Sequence, residues 1–188
     1  MAAVVFTGGI RSGKSAAAAS LASRTFSNVA VVGFGKRGTD DEFDARIARH
    51  RADRSESWTT LEAAYEGDWI DRCASHDVVI FDCVGTWLAL EIDRALEAGA
   101  PDPVARAETT LRESMGTLES LLPNAIWVTN EVGLSLVAGT SVGRRYVDAL
   151  GRLNRSLMQG AEQSYLVVGG RAIRLGDTYE TIEWPAAT

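Results

Sequence analysis

The sequence has little lysine, little cysteine and no long apolar run. Only two of its 19 basic residues are lysines, Lys14 and Lys36, so a lysine at a motif position is informative. The two cysteines, Cys73 and Cys83, lack a metal-ligand spacing, and we expect them to be reduced core thiols. The formal net charge of −6 argues against a general affinity for nucleic acid. No segment has the roughly 18 uninterrupted apolar residues of a membrane span, and none resembles a signal peptide, so we expect a cytoplasmic protein.

Apolar runs alternate with helical patterns along the whole chain. The 188 residues are 46% hydrophobic, which suits one compact domain. We expect this domain over residues 1–176, followed by a poorly anchored tail over residues 177–188. The fold class predicted is three-layer α/β with a mostly parallel sheet and antiparallel strands at its C-terminal edge. The predicted strands are residues 2–7, 28–34, 78–83, 125–129, 165–168 and 172–175, and the predicted helices are residues 14–23, 40–54, 86–98, 104–122 and 141–162.

A glycine-rich loop follows the first predicted strand and precedes the first predicted helix. It matches the pattern G-x-x-x-x-G-K-[ST] in full. In this pattern the glycines let backbone N–H groups point at phosphate oxygens, the lysine reaches the β- and γ-phosphates, and the hydroxyl can ligate Mg²⁺. The loop therefore predicts a purine nucleoside triphosphate site. Its residues are Gly8, Gly9, Ile10, Arg11, Ser12, Gly13, Lys14 and Ser15.

Asp82 follows the apolar run of residues 78–81. A phosphate loop works with an acidic residue at the end of a neighbouring strand, which holds Mg²⁺ or positions water. We expect Asp82 to take this role and to share the metal with Ser15. The alternative is an aspartate that caps the helix beginning near Val84.

His50 lies on a charged segment with Arg46 and Arg54 four residues to either side, so a helix would place all three on one face. Such a face attracts triphosphate, and the guanidinium charges lower the pKa of His50. A neutral imidazole is what a nucleophile needs. The alternative, which periodicity alone favours, is a solvated helix with an incidental histidine. His76 has no such surroundings, and we expect it in a loop.

Together these segments resemble the adenosylcobinamide kinase / adenosylcobinamide-phosphate guanylyltransferase family of cobalamin biosynthesis. The matching pieces occur in family order across nearly the whole chain. They are Thr7 to Ser15, Asp41-Glu42, Arg46-Ile47 with His50, Arg54 and Trp58, Asp82-Cys83 with Trp87, Asn130-Glu131-Val132-Gly133, Gly151-Arg152-Leu153-Asn154, and Val167-Val168 with Gly170.

This resemblance implies a RecA-like P-loop fold, often trimeric, and two reactions. Members of the family phosphorylate the corrinoid adenosylcobinamide with ATP or GTP. They then transfer GMP from GTP onto that phosphate through a GMP-histidine intermediate, and His50 occupies the position of that histidine. The resemblance implies that Lys14 and His50 are the catalytic residues. Beyond the glycine-rich loop, the residues that it implies contact the nucleotide are Phe34, Gly35, Lys36, Arg51, Ala52, Asp53, Arg54, Glu62 and Asp82.

The chain departs from the family pattern at Ser55, Gly85, Leu90 and residues 135–138, where the family usually has proline, threonine, asparagine and Gly-Ile-Val-Pro. Two alternatives stay open on these grounds. One is a P-loop kinase of another small molecule that forms no covalent adduct, and the other is a non-catalytic nucleotide-binding protein. Asn130 and Glu131 end a core strand, where open α/β sheets place ligands, and the alternative interpretation is a structural turn.

Overall fold

A computed structural model of the chain describes residues 1–36, 38, 45, 48, 55–134 and 138–176. The strands in this part are β1 (Ala2–Thr7), β2 (Val29–Gly33), β3 (Thr59–Glu62), β4 (Val78–Asp82), β5 (Asn124–Val128), β6 (Gln163–Val168) and β7 (Arg171–Arg174). The helices are α1 (Lys14–Thr25), α2 (Trp69–Cys73), α3 (Val84–Glu97), α4 (Pro103–Leu121) and α5 (Ser141–Gly160). Apart from residues 45 and 48, which are helical, the predicted helix over residues 40–54 lies outside the described residues, and so does the predicted tail.

The strands form one seven-stranded sheet in the order β3-β2-β4-β5-β1-β6-β7. Every neighbouring pair is parallel except β6 and β7, which form an antiparallel hairpin. The predicted fold class is therefore confirmed. The expectation that the Asp82 strand neighbours the strand before the phosphate loop is wrong, because β5 lies between β1 and β4.

Helices cover both faces of the sheet. Because successive residues of a strand point to opposite faces, each central strand contributes to two separate cores. In β4, Val78 and Ile80 pack in the cluster that contains alanines of α1. Val79 and Phe81 pack in the larger cluster, which contains apolar residues of α3, α4 and α5. The near-continuous apolar character of the central strands follows from this two-sided burial.

Helix α3 leaves the carboxyl end of β4 and contacts the segments that follow β2 and β3. The Trp87 ring stacks on Phe34, with ring centroids 4.7 Å apart. Further along the helix, an Arg94 nitrogen donates to the Ala63 carbonyl at 2.9 Å, and Glu97 pairs with Lys36 at 3.4 Å. The helix thus lies beside the edge of the sheet at which β2, β3 and β4 end.

The final hairpin confirms the predicted antiparallel strands around two glycines. Gly169 and Gly170 have φ angles of 57° and 75°, the left-handed region that a tight two-residue hairpin turn requires. The predicted boundaries of α3, α4 and α5 all agree with the structure to within two residues. None of the described helices is long and apolar enough to cross a membrane.

Candidate active site

The phosphate loop joins β1 to α1 and is confined by the final hairpin. A Cβ on Gly8 would lie 2.4 Å from the Val167 carbonyl oxygen, so only glycine fits there. Gly13 has a φ of 99°, and a Cβ on it would lie 3.2 Å from the Cα of Gly170. Arg11 also adopts a positive φ, of 60°, an uncommon conformation for a residue with a side chain. These constraints fix the loop in a curled conformation.

The first turn of α1 is open to an anion. Its N-cap is Gly13, which provides no side-chain hydrogen bond, and the first turn carries no acidic residue. The amide groups and the positive end of the helix dipole therefore face the loop interior. Lys14 is buried, and its Nζ donates to the Gly9 carbonyl oxygen at 3.1 Å across the loop. The ammonium group is thus held where phosphate oxygens would enter.

Ser15 and Asp82 meet across the sheet although β5 separates their strands. The Ser15 hydroxyl donates to Asp82 Oδ1 at 3.2 Å. The alternative role of Asp82 as a helix cap is not supported, because the N-cap of α3 is Cys83 and has no side-chain capping bond. The structure therefore brings together the two residues predicted to hold the metal.

Two buried hydroxyls in this region have no hydrogen-bond partner within the described part of the chain. They are Thr7 Oγ1, directly before the loop, and Ser12 Oγ within it. Thr7 is 2% exposed and Ser12 is 9% exposed. Because an unpaired buried hydroxyl is costly, their position beside the P-loop fits a site that accepts a polar ligand.

Three residues lie side by side at the carboxyl ends of β3, β2 and β4, and one of them is Asp82. Gly33 is in register with Glu62 on one side and Asp82 on the other. Since adjacent strands lie about 4.8 Å apart, Glu62 and Asp82 are about 10 Å apart at their backbones. Gly35 is half-buried and Lys36 is exposed. This arrangement leaves a row of accessible positions beside the phosphate loop.

Phe34 differs from the other predicted nucleotide contacts. Its side chain is 1% exposed, stacks on Trp87 and meets Trp69 edge-on with centroids 5.6 Å apart. The ring is therefore part of the core beneath the site. These ring contacts anchor the backbone that leads to Gly35.

Asn154, a buried polar residue of α5, organises the end of β5. The Thr129 hydroxyl donates to Asn154 Oδ1 at 2.6 Å, and Asn154 Nδ2 donates to the Asn130 carbonyl at 2.9 Å. The Glu131 amide donates to the Gly8 carbonyl at 3.1 Å. The sequence alone predicts no role for Asn154 beyond its place in the family motif that begins at Gly151. Asn154 follows Leu150 by four residues and precedes Leu157 by three, and a polar residue at this spacing on the apolar face of a helix is the sequence signal that would have identified it.

Cys83 follows Asp82 and is half-buried among polar groups. Its Sγ lies 3.1 Å from Thr86 Oγ1, and Asn130 Nδ2 donates to it at 3.9 Å. Burial and the neighbouring Asp82 charge raise the pKa of the Cys83 thiol. Cys73 is fully buried, and burial raises its pKa to about 12. Both cysteines are free and stay protonated at neutral pH. The predicted core position is confirmed for Cys73 and is wrong for Cys83, which is half-buried beside Thr86 and Asn130.

Several predicted site residues lie outside the described residues. They are His50, its neighbours Arg46 and Arg54, and the implied contacts Arg51, Ala52 and Asp53. His76 is in the turn between α2 and β4, with its Nδ1 3.3 Å from the Ser75 hydroxyl, so its predicted loop position is confirmed.

The strand, loop and helix order, together with Lys14, Ser15 and Asp82, defines a P-loop nucleotide-binding protein. The family model described as cobinamide kinase / cobinamide phosphate guanyltransferase matches residues 4–175. The chain belongs to this family and is a transferase of cobalamin biosynthesis. This membership favours the predicted pair of activities over both alternatives considered from the sequence.

Curated relatives carry consistent names. The chain is 31% identical over 183 residues to the bifunctional adenosylcobalamin biosynthesis protein CobU of Escherichia coli K12, covering 92% of this chain and 98% of that protein. It is 32% identical over 165 residues to the bifunctional adenosylcobalamin biosynthesis protein CobP of Pseudomonas aeruginosa, covering 87% and 91%.

Solved structures of ATPases share the fold. An ATPase from the type III secretion system of pathogenic bacteria superposes with a TM-score of 0.59 at 15% identity, over 88% of this chain and 50% of that one. The ATPase EscN of enteropathogenic E. coli, in complex with its central stalk EscO, gives a TM-score of 0.55 at 14% identity, over 88% and 41%. These similarities concern the fold alone.

Proposed function

We propose that this chain phosphorylates adenosylcobinamide with ATP or GTP and then transfers GMP from GTP to the new phosphate through a covalent intermediate on His50. The observation that carries the proposal is the hydrogen bond between Ser15 and Asp82 at a P-loop that also contains the buried Lys14, in a chain that belongs to this family. The names of the curated relatives, which describe a bifunctional protein of adenosylcobalamin biosynthesis, support both halves.

In the kinase half, the P-loop holds the triphosphate and stabilises the charge that develops on the transferred group. The amides at the start of α1 donate to phosphate oxygens, and Lys14 neutralises their charge. Within the described ranges, no three His, Cys, Asp or Glu side chains lie close enough together to hold a metal ion by themselves. A single carboxylate with a hydroxyl suits Mg²⁺, which keeps several waters and takes its remaining ligands from substrate phosphates. Ser15 and Asp82 would hold this ion, which supplies positive charge beside the phosphates.

In the guanylyl half, the neutral imidazole of His50 attacks the α-phosphorus of GTP. A nitrogen–phosphorus bond forms, the bond to the bridging oxygen breaks, and pyrophosphate leaves. A phosphate oxygen of the phosphorylated corrinoid then bonds to the same phosphorus, and the electron pair returns to the imidazole. Arg46, Arg51 and Arg54 are the groups proposed to neutralise charge during both steps.

The remaining contacts follow from the aligned strand ends. Gly35, Lys36 and Glu62 are proposed to contact the nucleotide, because they lie at the same edge of the sheet as Asp82. Phe34 is proposed to act through its backbone only, since its ring is buried. We further propose that the protein works in the cytoplasm, where nucleoside triphosphates are supplied, and as a homo-oligomer such as a trimer.

The guanylylated residue can be identified directly by mass. Protein incubated with Mg²⁺ and α-labelled GTP should gain the mass of one GMP, in an acid-labile bond that is typical of phosphohistidine chemistry. His50→Ala should gain nothing, whereas His76→Ala, which alters the other histidine, should be labelled like the wild type. Label retained by His50→Ala, or none on wild type despite GTP binding, would remove His50 from the mechanism.

A further inference from the structure

The phenol of Tyr146 on α5 reaches the first turn of α3. Its hydroxyl donates to the Gly85 carbonyl oxygen at 3.1 Å. A Cβ on Gly85 would lie 2.9 Å from that hydroxyl and 3.3 Å from both Asn130 Nδ2 and Leu150 Cδ2. The phenol therefore fits against this helix only because residue 85 has no side chain.

Gly85 belongs to the turn that immediately follows Asp82. The Trp87 amide donates to the Cys83 carbonyl at 3.0 Å, and the Cys83 thiol contacts Thr86 at 3.1 Å. Residues 83–87 thus form one hydrogen-bonded unit at the start of α3. A group that fixes Gly85 also fixes the direction in which the chain leaves Asp82.

The Tyr146 phenol is suited to a permanent donor role. Burial, followed by the neighbouring Cys83 thiol, raises the pKa of Tyr146 to about 12. The hydroxyl therefore keeps its proton at any working pH. Its bond to a backbone carbonyl does not compete with any charged group for that proton.

Helix α5 holds the end of β5 in the same way. Asn154 lies two turns beyond Tyr146 on the same helix face and bonds Thr129 and the Asn130 carbonyl. Asn130 in turn donates to Cys83. One helix therefore contacts both the end of β5 and the first turn of α3, which directly follows Asp82.

We propose that Tyr146 is a positioning residue for Asp82, with Gly85 as the complementary position that makes room for its hydroxyl. Tyr146 acts through the first turn of α3 and touches no reacting atom. It holds the Asp82 carboxylate at hydrogen-bonding distance from Ser15. This inference rests on the proposed role of Asp82 in Mg²⁺ binding, so that role is tested alongside it.

The test measures the affinity of a non-hydrolysable ATP analogue with and without Mg²⁺, together with the kinase rate and the melting temperature. Tyr146→Phe should reduce the gain in analogue affinity that Mg²⁺ provides by about three- to tenfold, the value of one hydrogen bond. Affinity without Mg²⁺ should not change. Gly85→Ala should have a larger effect, and this effect should shrink in the Tyr146→Phe background because the crowded hydroxyl is gone.

Tyr165→Phe is the matched control. It removes a tyrosine hydroxyl that donates to Gln163 at 2.6 Å on β6, and β5 and β1 lie between that strand and β4, which ends in Asp82. Its Mg²⁺-dependent affinity should equal that of the wild type. If Tyr146→Phe behaves like this control, or if its effect simply adds to that of Gly85→Ala, the inference is overturned.

The variant Asp82→Asn separates the proposed role of Asp82 in Mg²⁺ binding from the proposed positioning role of Tyr146. If Asp82→Asn abolishes the Mg²⁺-dependent gain while Tyr146→Phe leaves it intact, the positioning role fails and the role of Asp82 stands. If neither variant changes the gain, both the role of Asp82 and the inference fail. A change in melting temperature alone, with the Mg²⁺-dependent gain intact, makes Tyr146 purely structural and also overturns the inference.

Discussion

The amide of Gly170 donates a hydrogen bond of 2.8 Å to the carbonyl oxygen of Ser12. The turn of the last hairpin is thereby fixed against the phosphate loop, more than 150 residues away in sequence. The same turn approaches Gly13, on which a Cβ would lie 3.2 Å from the Gly170 Cα. The C-terminal hairpin is therefore part of the support of the nucleotide site.

Gly13→Ala should weaken nucleotide binding. The methyl group would crowd Gly170 at a φ of 99°, and strain of about 1–3 kcal/mol corresponds to a loss of roughly 5- to 150-fold in affinity. Titration of ATP by calorimetry measures this. Gly169→Ala is the matched control, because its Cβ would meet nothing within 4 Å although its φ is 57°. Equal losses in the two variants would exclude the contact with the hairpin as the cause.

Lys14→Met should lower the kinase rate by about 10²- to 10³-fold, the usual effect of removing one group that stabilises transition-state charge. The lysine is 8% exposed, and methionine retains the packing of its apolar stem. We expect the melting temperature to stay close to that of the wild type. Single-turnover phosphorylation of adenosylcobinamide gives the rate, and a loss below tenfold would contradict the role of Lys14.

Phe34→Leu should destabilise the fold by about 1–2 kcal/mol without changing the Michaelis constant for ATP or GTP. The ring stacks on Trp87 and meets Trp69 edge-on, so its loss removes aromatic contacts and buried area. Urea unfolding and initial-rate kinetics test the two parts separately. A raised Michaelis constant with unchanged stability would contradict this prediction and would mean that the Phe34 side chain contacts the nucleotide, as the family resemblance implies.

Stability should fall at high pH because of Cys73. Burial raises its pKa from 9.0 to about 12 in the folded protein. Above pH 9 the thiol therefore ionises in the unfolded chain but not in the folded protein. This ionisation favours the unfolded state, so the free energy of unfolding falls as the pH rises. Between pH 8 and pH 10 the wild type should lose about 1 kcal/mol more unfolding free energy than Cys73→Ala. Urea unfolding of both proteins at the two pH values measures the difference. Equal losses would mean that the Cys73 thiol titrates normally.

The sequence was sufficient for the parts of the fold that have strong periodicity or motif constraints. The glycine-rich loop, the central apolar strands and the long helices were predicted because each has a pattern longer than a few residues. Strand β3 was missed because Thr59–Glu62 is a short, polar strand at the edge of the sheet, where β2 is its one partner among the described residues. Helix α2 was missed because the five residues of Trp69–Cys73 are too few to establish a period.

Long-range relationships in the site were less accessible. The Ser15–Asp82 pair was predicted from two motif elements, but the insertion of β5 between their strands was not. In the sequence, Gly85 stood out only as a departure from the family pattern. The structure explains why a glycine is needed there: the hydroxyl of Tyr146, 61 positions away, packs against this residue. Single-sequence patterns do not encode such pairings. Leu90, another departure, is 6% exposed and packs in the core.

The most direct measurement of the central claim is a chase experiment on the labelled protein. Wild-type protein carrying one α-labelled GMP is freed of GTP and then mixed with adenosylcobinamide phosphate. The account predicts that the label leaves the protein in a single turnover and appears in adenosylcobinamide-GDP, with unmodified protein recovered. If the label stays on the protein while added GTP still yields product, GMP does not pass through His50, and the proposed mechanism is wrong.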